Sequence, residues 1–220
     1  SCIITTILGL VIGVLSAVKQ YSALDYTASA LAIIFSAMPN FWMAVLGILI
    51  FSTRLHWLPA SGLGSFKNWI MPVICNSLGP VCLILRTTRS TMLDVINQDY
   101  IRTARAKGVS ERQVILRHAL KNAIIPTITV IGMQLSLVVG GSVVVETIFN
   151  INGLGLLMMN SINNRDYPTI QGIVLLLAVT VCVINLLVDL AYAAVDPRIK
   201  AQYVGSVGKK SRAKKKEAAA

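Results

Sequence analysis

Residues 99–126 read DYIRTARAKGVSERQVILRHALKNAIIP, a basic and polar stretch that lies between long apolar windows. The whole chain has 220 residues, of which 55% are hydrophobic and 13% are charged. Soluble domains carry about 25% charged residues, so this composition predicts that most of the chain faces lipid. Charged side chains are costly in hydrocarbon, and we therefore expect the stretch to project into water as a basic, helical element.

Five windows without a charged residue, each at least 18 residues long, predict the membrane-spanning segments. They cover residues 1–18, 26–53, 68–85, 122–145 and 170–188. About 20 residues of α-helix cross the hydrocarbon core, so we predict an all-α polytopic membrane protein with five transmembrane helices in this chain. Pro39 predicts a local kink in the second window, whereas Pro72 and Pro80 predict a kinked or internally packed third helix. We expect the Asn-rich stretch before the last window to be an outside loop.

The basic residues predict the orientation of the chain. If the five spans alternate in direction, 17 of the 20 Lys and Arg residues fall on the side of segment 86–121 and of the C-terminus. Because positive charge marks the cytoplasmic face, we expect that side to be cytoplasmic and the net charge of +11 to need no nucleic-acid partner. Residues 200–220 are interpreted as a basic, disordered cytoplasmic tail. The chain starts in an apolar run without the basic n-region of a signal peptide, so we expect one more helix upstream.

Periodicity divides the polar stretch into two helices. Apolar residues recur at three- and four-residue spacing between positions 92 and 104, which predicts that the third helix continues out of the membrane up to the glycine. Gly108 then breaks the pattern and suits the C′ position of a helix cap. Ser110 and Gln113 have the spacing of a capping box, which predicts a second helix over about residues 111–122.

Few residues in the sequence are suited to carry chemistry. His56 and His118 stand apart, and none of the four cysteines has a metal-ligand spacing. The only ionisable residues that we place within the membrane are Glu146 and Asp189, both near a membrane face, and a proton-coupled carrier usually has more buried carboxylates or histidines. The sequence has no P-loop motif. We therefore expect a protein that is not an enzyme, holds no metal or cofactor, and takes its energy from another chain.

Several ordered motifs resemble one known family. Segment 99–126 resembles the cytoplasmic loop of permease subunits in ABC importers of the dipeptide, oligopeptide and nickel group. The resemblance extends to HWLPASG (56–62), ETIFNINGLG (146–155), RDYPTIQG (165–172) and NLLVDLAYAAVDPR (185–198), in the order of the first of two paired permeases. It implies a type I ABC-importer transmembrane domain over residues 1–199, with an ATPase-coupling loop at about 99–122, in a bacterial or archaeal plasma (inner) membrane.

The general importer signature of this loop, E-A-A-x3-G followed by I-x-L-P, is only partly present. Arg102, Thr103 and Ala104 occupy its first three places, and Gly108 is its glycine. The glutamate is absent, and Pro126 falls later than the proline of the signature. Peptide-type permeases share these departures, which favours the peptide subgroup.

The resemblance also implies partners and the residues that meet them. The chain would form a heterodimer with a second permease subunit in the lipid bilayer. It would work with two cytoplasmic ATPase subunits, which bind ATP and Mg, and with an extracytoplasmic substrate-binding protein. The expected residues of the ATPase contact are Arg102, Thr103, Ala104, Arg105, Ala106, Lys107, Gly108, Arg112 and His118. The candidates for a translocation path or gate are Glu146, Asn185 and Asp189.

The small side chains of Ala104 and Ala106 suggest how such a contact is made. A helix with little bulk around its glycine fits into a groove on another protein. Basic residues on the same helix would then surround the contact and favour an acidic rim.

Alternatives remain open at this point. Glu146 is also interpreted as an interfacial carboxylate at a helix end. Asp189 shares a helix face with Asn185 and suits a helix–helix hydrogen bond. Within the family, the alternative cargo is nickel or a metal chelate. From other classes, the alternatives are a stand-alone channel or secondary carrier and a membrane-anchored scaffold.

Overall fold

The computed structural model describes residues 1–62, 64–139 and 143–195, and most of this part is helical. The helices are α1 (Cys2–Val18), α2 (Ala23–Ala37), α3 (Asn40–Gly47, continued by a π-helix Ile48–Arg54), α4 (Phe66–Ile96), α5 (Asp99–Ala106), α6 (Glu111–Gln113, continued by a π-helix Val114–Ala119), α7 (Leu120–Val139), α8 (Val143–Phe149), α9 (Leu154–Asn163) and α10 (Tyr167–Val195). The all-α prediction is confirmed for the described residues. The predicted tail over residues 200–220 lies outside them, as does the end of the 185–198 motif.

Membrane-spanning length is reached in two ways. Among the described residues, three helices are long and apolar enough to cross a bilayer: Phe66–Ile96, Glu111–Leu135 and Tyr167–Leu190. Two bent pairs reach that length together: α2 with Asn40–Arg54, bent by 100°, and α8 with α9, bent by 84°. Helix α1 is apolar, but its 17 residues are fewer than the about 20 that cross the hydrocarbon core. The third and fifth predicted windows thus fall on long helices, and the fourth does so as far as Val139, whereas the expected outside loop before α10 contains helix α9.

The second predicted window is broken rather than locally kinked. Met38 is extended, with φ −85° and ψ 125°, and Pro39 follows with φ −63° and ψ 141° before α3 begins at Asn40. The residue before a proline is pushed out of the α region by the proline ring. The local kink predicted at Pro39 is therefore a full break, because the chain turns by 100° at this position.

Helix α4 is the centre of the bundle and packs against α1, α2 and α7. Its contact with α1 is very close: a Cβ on Gly9 would lie 2.7 Å from the Ile84 side chain, and one on Gly13 would lie 2.7 Å from that of Thr88. Small residues allow this approach in a bilayer, where lipid is as apolar as any helix face. Pro72 and Pro80 lie inside α4, which continues through both.

Helix α4 does not continue to the glycine as predicted. It ends at Ile96, and Gln98 is extended, with φ −74° and ψ 150°, before α5 begins. The side-chain amides of Asn97 and Gln98 donate to the backbone carbonyls four residues earlier, at 2.9 and 3.3 Å, and so satisfy the last turn of the helix. This break lets α5 fold back against the bundle.

The second predicted helix is longer than the sequence pattern indicates. It begins at Glu111 and runs without a break through Val114–Ala119 into α7. The predicted capping box is wrong, since the Ser110 side chain makes no capping hydrogen bond. Instead, the backbone carbonyl of Ser110 accepts from the backbone N–H of Gln113 and of Val114, at 2.9 and 3.0 Å.

Candidate functional site

The basic loop (residues 97–113) is anchored by the inner face of α5. Ile101 is fully buried, and Ala104 is only 9% exposed. Both belong to an apolar cluster with Met92 of α4 and with Val114 and Ala119 of the π-helix. The Tyr100 hydroxyl also accepts a hydrogen bond of 3.0 Å from the side-chain amide of Asn122. The loop is thus packed onto both helices that flank it.

This packing divides the nine predicted ATPase-contact residues. Ala104 faces the chain's own core, so the expectation that it enters a partner's groove is wrong. Its small size instead lets α5 lie close to the bundle. His118 is half-buried. The remaining seven are exposed: Arg102, Thr103, Arg105, Ala106, Lys107, Gly108 and Arg112.

The turn at Gly108 closes α5 with a Schellman cap. Gly108 has φ +75°, and its N–H donates to the Arg105 carbonyl at 3.0 Å. The N–H of Val109 donates to the Ala104 carbonyl at 3.3 Å, and Val109 packs against the same apolar cluster. These are the two hydrogen bonds and the apolar contact that define this cap. The predicted C′ role of Gly108 is confirmed.

An ion pair spans the turn from outside. The Arg105 guanidinium donates to both carboxylate oxygens of Glu111, at 3.1 Å from Nε and 2.7 Å from Nη2. Hydrogen bonding to Glu111 raises the pKa of Arg105 above its ordinary value, so this group stays charged. The pair fixes α5 relative to α6. Arg102 is the more available neighbour, since its Nη1 lies 4.0 Å from Asp99 and its side chain is 75% exposed.

A buried ion pair lies behind the loop, and the sequence analysis missed it. Arg89 of α4 donates to Asp25 of α2, at 2.6 Å from Nε and 2.8 Å from Nη2. The Ser16 hydroxyl and the Tyr21 N–H also donate to this carboxylate, which is 3% exposed. The hydrogen bonds of the Asp25 carboxylate therefore connect α1, α2 and α4. The S-x-x-D spacing of Ser22 and Asp25 marks the start of α2, where Ser22 accepts from the Asp25 N–H at 3.3 Å, but it does not indicate Arg89 as the partner of the carboxylate.

An open cleft, with polar groups among a mainly apolar lining, runs along α4 where it faces α2, α3, α7 and α8. Its upper part is a cavity of about 690 Å³ whose lining includes Asn40, Asn76 and Gln134. Its lower part, nearer the basic loop, is a cavity of about 610 Å³ whose lining includes Arg86 and Arg89. Leu83 lines both cavities, which therefore follow one another along α4. The sequence analysis proposed none of these residues for a path, because their spacing has meaning only once α2 and α4 are placed side by side.

The three predicted gate residues lie elsewhere and are not among the side chains that line the two cavities of the cleft. Glu146 accepts a hydrogen bond of 3.0 Å from the Leu156 N–H in the first turn of α9. Cβ atoms on Gly153 and Gly155 would overlap the Glu146 side chain, so both glycines of this motif let the chain wrap around the carboxylate. Asn185 and Asp189 lie on exposed parts of α10.

Comparison with known proteins completes the description of the site. Residues 9–201 match the family described as "binding-protein-dependent transport system inner membrane component". The chain is 44% identical over 198 residues to the dipeptide transport system permease protein DppB of Bacillus subtilis (strain 168), which covers 90% of this chain and 64% of that protein. It is 43% identical over 212 residues to the oligopeptide transport system permease protein AppB of the same organism, with 90% and 67% covered. The chain thus spans about two thirds of the length of the curated relatives it matches.

A solved structure shares the fold. It is described as an inward-facing conformation of the MetNI methionine ABC transporter, and it matches with a TM-score of 0.69 at 21% identity, covering 89% of this chain and 91% of that chain. The predicted fold of an ABC-importer permease is therefore confirmed. With the family match over residues 9–201, this chain belongs to the family of binding-protein-dependent transport system inner membrane components.

Proposed function

We propose that this chain is the permease subunit of a binding-protein-dependent ABC importer for dipeptides and oligopeptides. The match to permeases of dipeptide and oligopeptide transport systems over 90% of the chain carries this proposal. The chain pairs with a second permease, receives cargo from an extracytoplasmic binding protein, and is driven by two cytoplasmic ATPase subunits that bind ATP and Mg. It carries out no catalysis itself.

The basic loop is the proposed contact with the ATPase subunits, on the cytoplasmic side. Its exposed residues Arg102, Lys107 and Arg112 suit an acidic rim on the partner. Ile101 and Ala104 are packed into the bundle, which supports transmission of force because the loop cannot move without its neighbours. Closure of the ATPase pair would then rock α4 and α7 and alternate access to the cleft.

Substitutions at Gly108 test this contact. A Cβ on Gly108 meets nothing within 4 Å, so neither Asp nor Asn clashes, and both residues tolerate the left-handed conformation better than most others. Asp and Asn have nearly the same shape but differ in charge. We expect Gly108→Asp to abolish uptake and co-purification of the ATPase subunits, because it adds negative charge at an acidic rim. We expect Gly108→Asn to retain most of both.

The measurement is uptake of a labelled dipeptide, an oligopeptide and nickel by the reconstituted complex, with recovery of ATPase subunits on the purified permease. Equal activity of the two Gly108 variants at wild-type level would overturn the ATPase contact. Uptake of nickel without peptide uptake would overturn the cargo and favour the nickel alternative.

For Glu146 we propose a positioning role at the turn between α8 and α9 rather than contact with the cargo. Its hydrogen bond to the Leu156 N–H supports this, and the first turn of a helix favours a carboxylate by about 0.3–1 kcal/mol. We expect Glu146→Gln to lower stability by that amount and to change uptake of charged and neutral peptides equally. A selective loss of positively charged peptides would restore the gate role. Asn185 and Asp189 remain proposed path or interface residues.

A further inference from the structure

The lower cavity of the cleft differs from the upper one in charge. Among the described residues, the upper cavity is lined by neutral side chains, with amides at Asn40, Asn76 and Gln134. The lower cavity has two guanidinium groups, Arg86 and Arg89, on its wall. Arg86 lies ten residues beyond Asn76 on α4, which corresponds to about 15 Å along the helix. A cargo that moves down the cleft therefore passes from neutral amides to cationic groups.

The two arginines are not equivalent. Arg89 is held by the buried Asp25 carboxylate, which neutralises its charge and fixes its position. Arg86 is exposed, and no hydrogen bond or ion pair joins its guanidinium to another described residue. Ser29 and Ser90 line the same cavity, and their hydroxyls likewise make no hydrogen bond within the described part. The cavity thus presents one uncompensated positive charge with two free hydroxyl groups.

We propose that Arg86, with Ser29 and Ser90, forms a carboxylate subsite that receives the C-terminal carboxylate of the peptide cargo near the cytoplasmic end of the cleft. This inference rests on the proposed function as a peptide permease. A guanidinium is suited to a carboxylate because its N–H groups match both oxygens. The site is open and carries one charge, so it binds the carboxylate weakly. Weak binding lets the cargo leave the site and continue its passage.

The lining of the cavity favours cargo over a lipid headgroup. A second groove, between α3 and the first half of α4, has a volume of about 550 Å³ and is almost wholly apolar, with Phe35, Trp42 and Ile74 in its lining. That groove is suited to acyl chains. The lower cavity instead adjoins, at Leu83, the cavity that carries the amides of Asn40, Asn76 and Gln134 among its apolar side chains. These amides offer donors and acceptors to peptide groups.

The test uses the complete importer in proteoliposomes and one dipeptide in two forms, with a free C-terminus and with a C-terminal amide. Each form is supplied as a saturated complex with the binding protein. Any preference of the binding protein for one form then does not affect the ratio of the two uptake rates. We expect the wild type to transport the free acid about fivefold faster than the amide, in line with an exposed ion pair. Arg86→Gln should reduce this ratio to about one by slowing the free acid only, and Arg86→Lys should restore part of it.

Amide uptake reports folding and assembly of each variant, and Arg117→Gln, at an exposed arginine outside the cleft, is the matched control that should leave the ratio unchanged. An unchanged ratio in Arg86→Gln overturns the subsite and leaves the peptide permease standing. Equal slowing of both forms that depends on phosphatidylglycerol in otherwise phosphatidylcholine vesicles assigns Arg86 to lipid and also overturns it. Absence of uptake of both forms by the wild type would overturn the proposed function, and the subsite with it.

Discussion

One face of α4 is packed against α1 almost without space, whereas another face of the same helix lines an open cleft that contains amide and guanidinium groups. At the packed face, Gly9 and Gly13 bring the α1 backbone against Ile84 and Thr88. At the cleft face, a Cβ added to Gly79 would meet nothing within 4 Å. The two glycines of α1 let that side close, while Gly79 of α4 itself lies on the side that stays open.

The two faces of α4 differ in the side chains that decide whether helices touch in a membrane. Lipid is as apolar as a leucine side chain, so apolar character alone does not drive two helices together. Close packing requires small residues at the contact, whereas the cleft face carries amide and guanidinium groups among its apolar side chains. The Asp25–Arg89 pair lies where the two regions meet, because the Asp25 carboxylate of α2 accepts from both the Ser16 hydroxyl of α1 and the Arg89 guanidinium of α4.

The largest effect is expected from Asp25→Ala, which breaks the junction of the two regions. It leaves Arg89 without its partner, and removing one member of a buried pair costs about 3–5 kcal/mol. Arg89 is 27% exposed, so we expect the lower end, about 3 kcal/mol, in the free energy of unfolding in detergent. The double variant Asp25→Ala with Arg89→Leu should regain part of this loss. If the effects of Asp25→Ala and Arg89→Leu on the free energy of unfolding simply add in the double variant, the two side chains are not energetically coupled.

A smaller effect on stability is expected from replacing a glycine by alanine at the packed face and, for comparison, at the cleft face. Gly13→Ala should destabilise by about 1–3 kcal/mol, because its Cβ would lie 2.7 Å from Thr88 and 2.8 Å from the Leu85 carbonyl. Gly79→Ala should be neutral or stabilise by up to about 1 kcal/mol, since alanine is the better helix former and space is free. Thermal unfolding of the two variants measures the difference. Equal destabilisation would contradict the packing described for α1 and α4.

The smallest change in stability is expected from Asn76→Leu, which makes the upper cavity more apolar without filling a packed site. A substitution on an open surface usually changes stability by about 0.5 kcal/mol or less. Peptide uptake should nevertheless fall, because an amide that can bond to peptide groups is lost. Asn76→Gln, which keeps the amide, is the control. Wild-type uptake by Asn76→Leu would remove Asn76 from the proposed path.

Much of the fold was predictable because its signals are local. Apolar windows marked the long helices, and Gly108 marked the turn, since positive φ and a broken pattern are properties of one position. The helical character of the loop and its end at Gly108 were predicted correctly, but its start was predicted as a continuation of α4, and Ala104 was placed on the wrong face. The break at Gln98 depends on side-chain amides that bond back to α4, and periodicity does not record that competition.

The candidate site was predictable in part for the same reason. The exposed basic residues of the loop follow from charge alone. The burial of Ala104 does not, because small size is compatible with contact to a partner and with contact to the chain itself. Glu146 was singled out as an ionisable residue near a window end. Its bond to the Leu156 N–H requires the turn between α8 and α9, which was predicted as a loop.

The sequence by itself determined that this is a polytopic membrane protein of the importer permease family with a basic loop turned at Gly108. Composition, charge and motif order are properties of the chain before it folds. Only the tertiary structure decided that α5 lies back on the bundle, that Arg89 pairs with a carboxylate 64 residues away, and that the polar residues of α2 and α4 face one cleft. These depend on which helix faces approach each other, and that choice is made by packing between distant segments rather than by any local pattern.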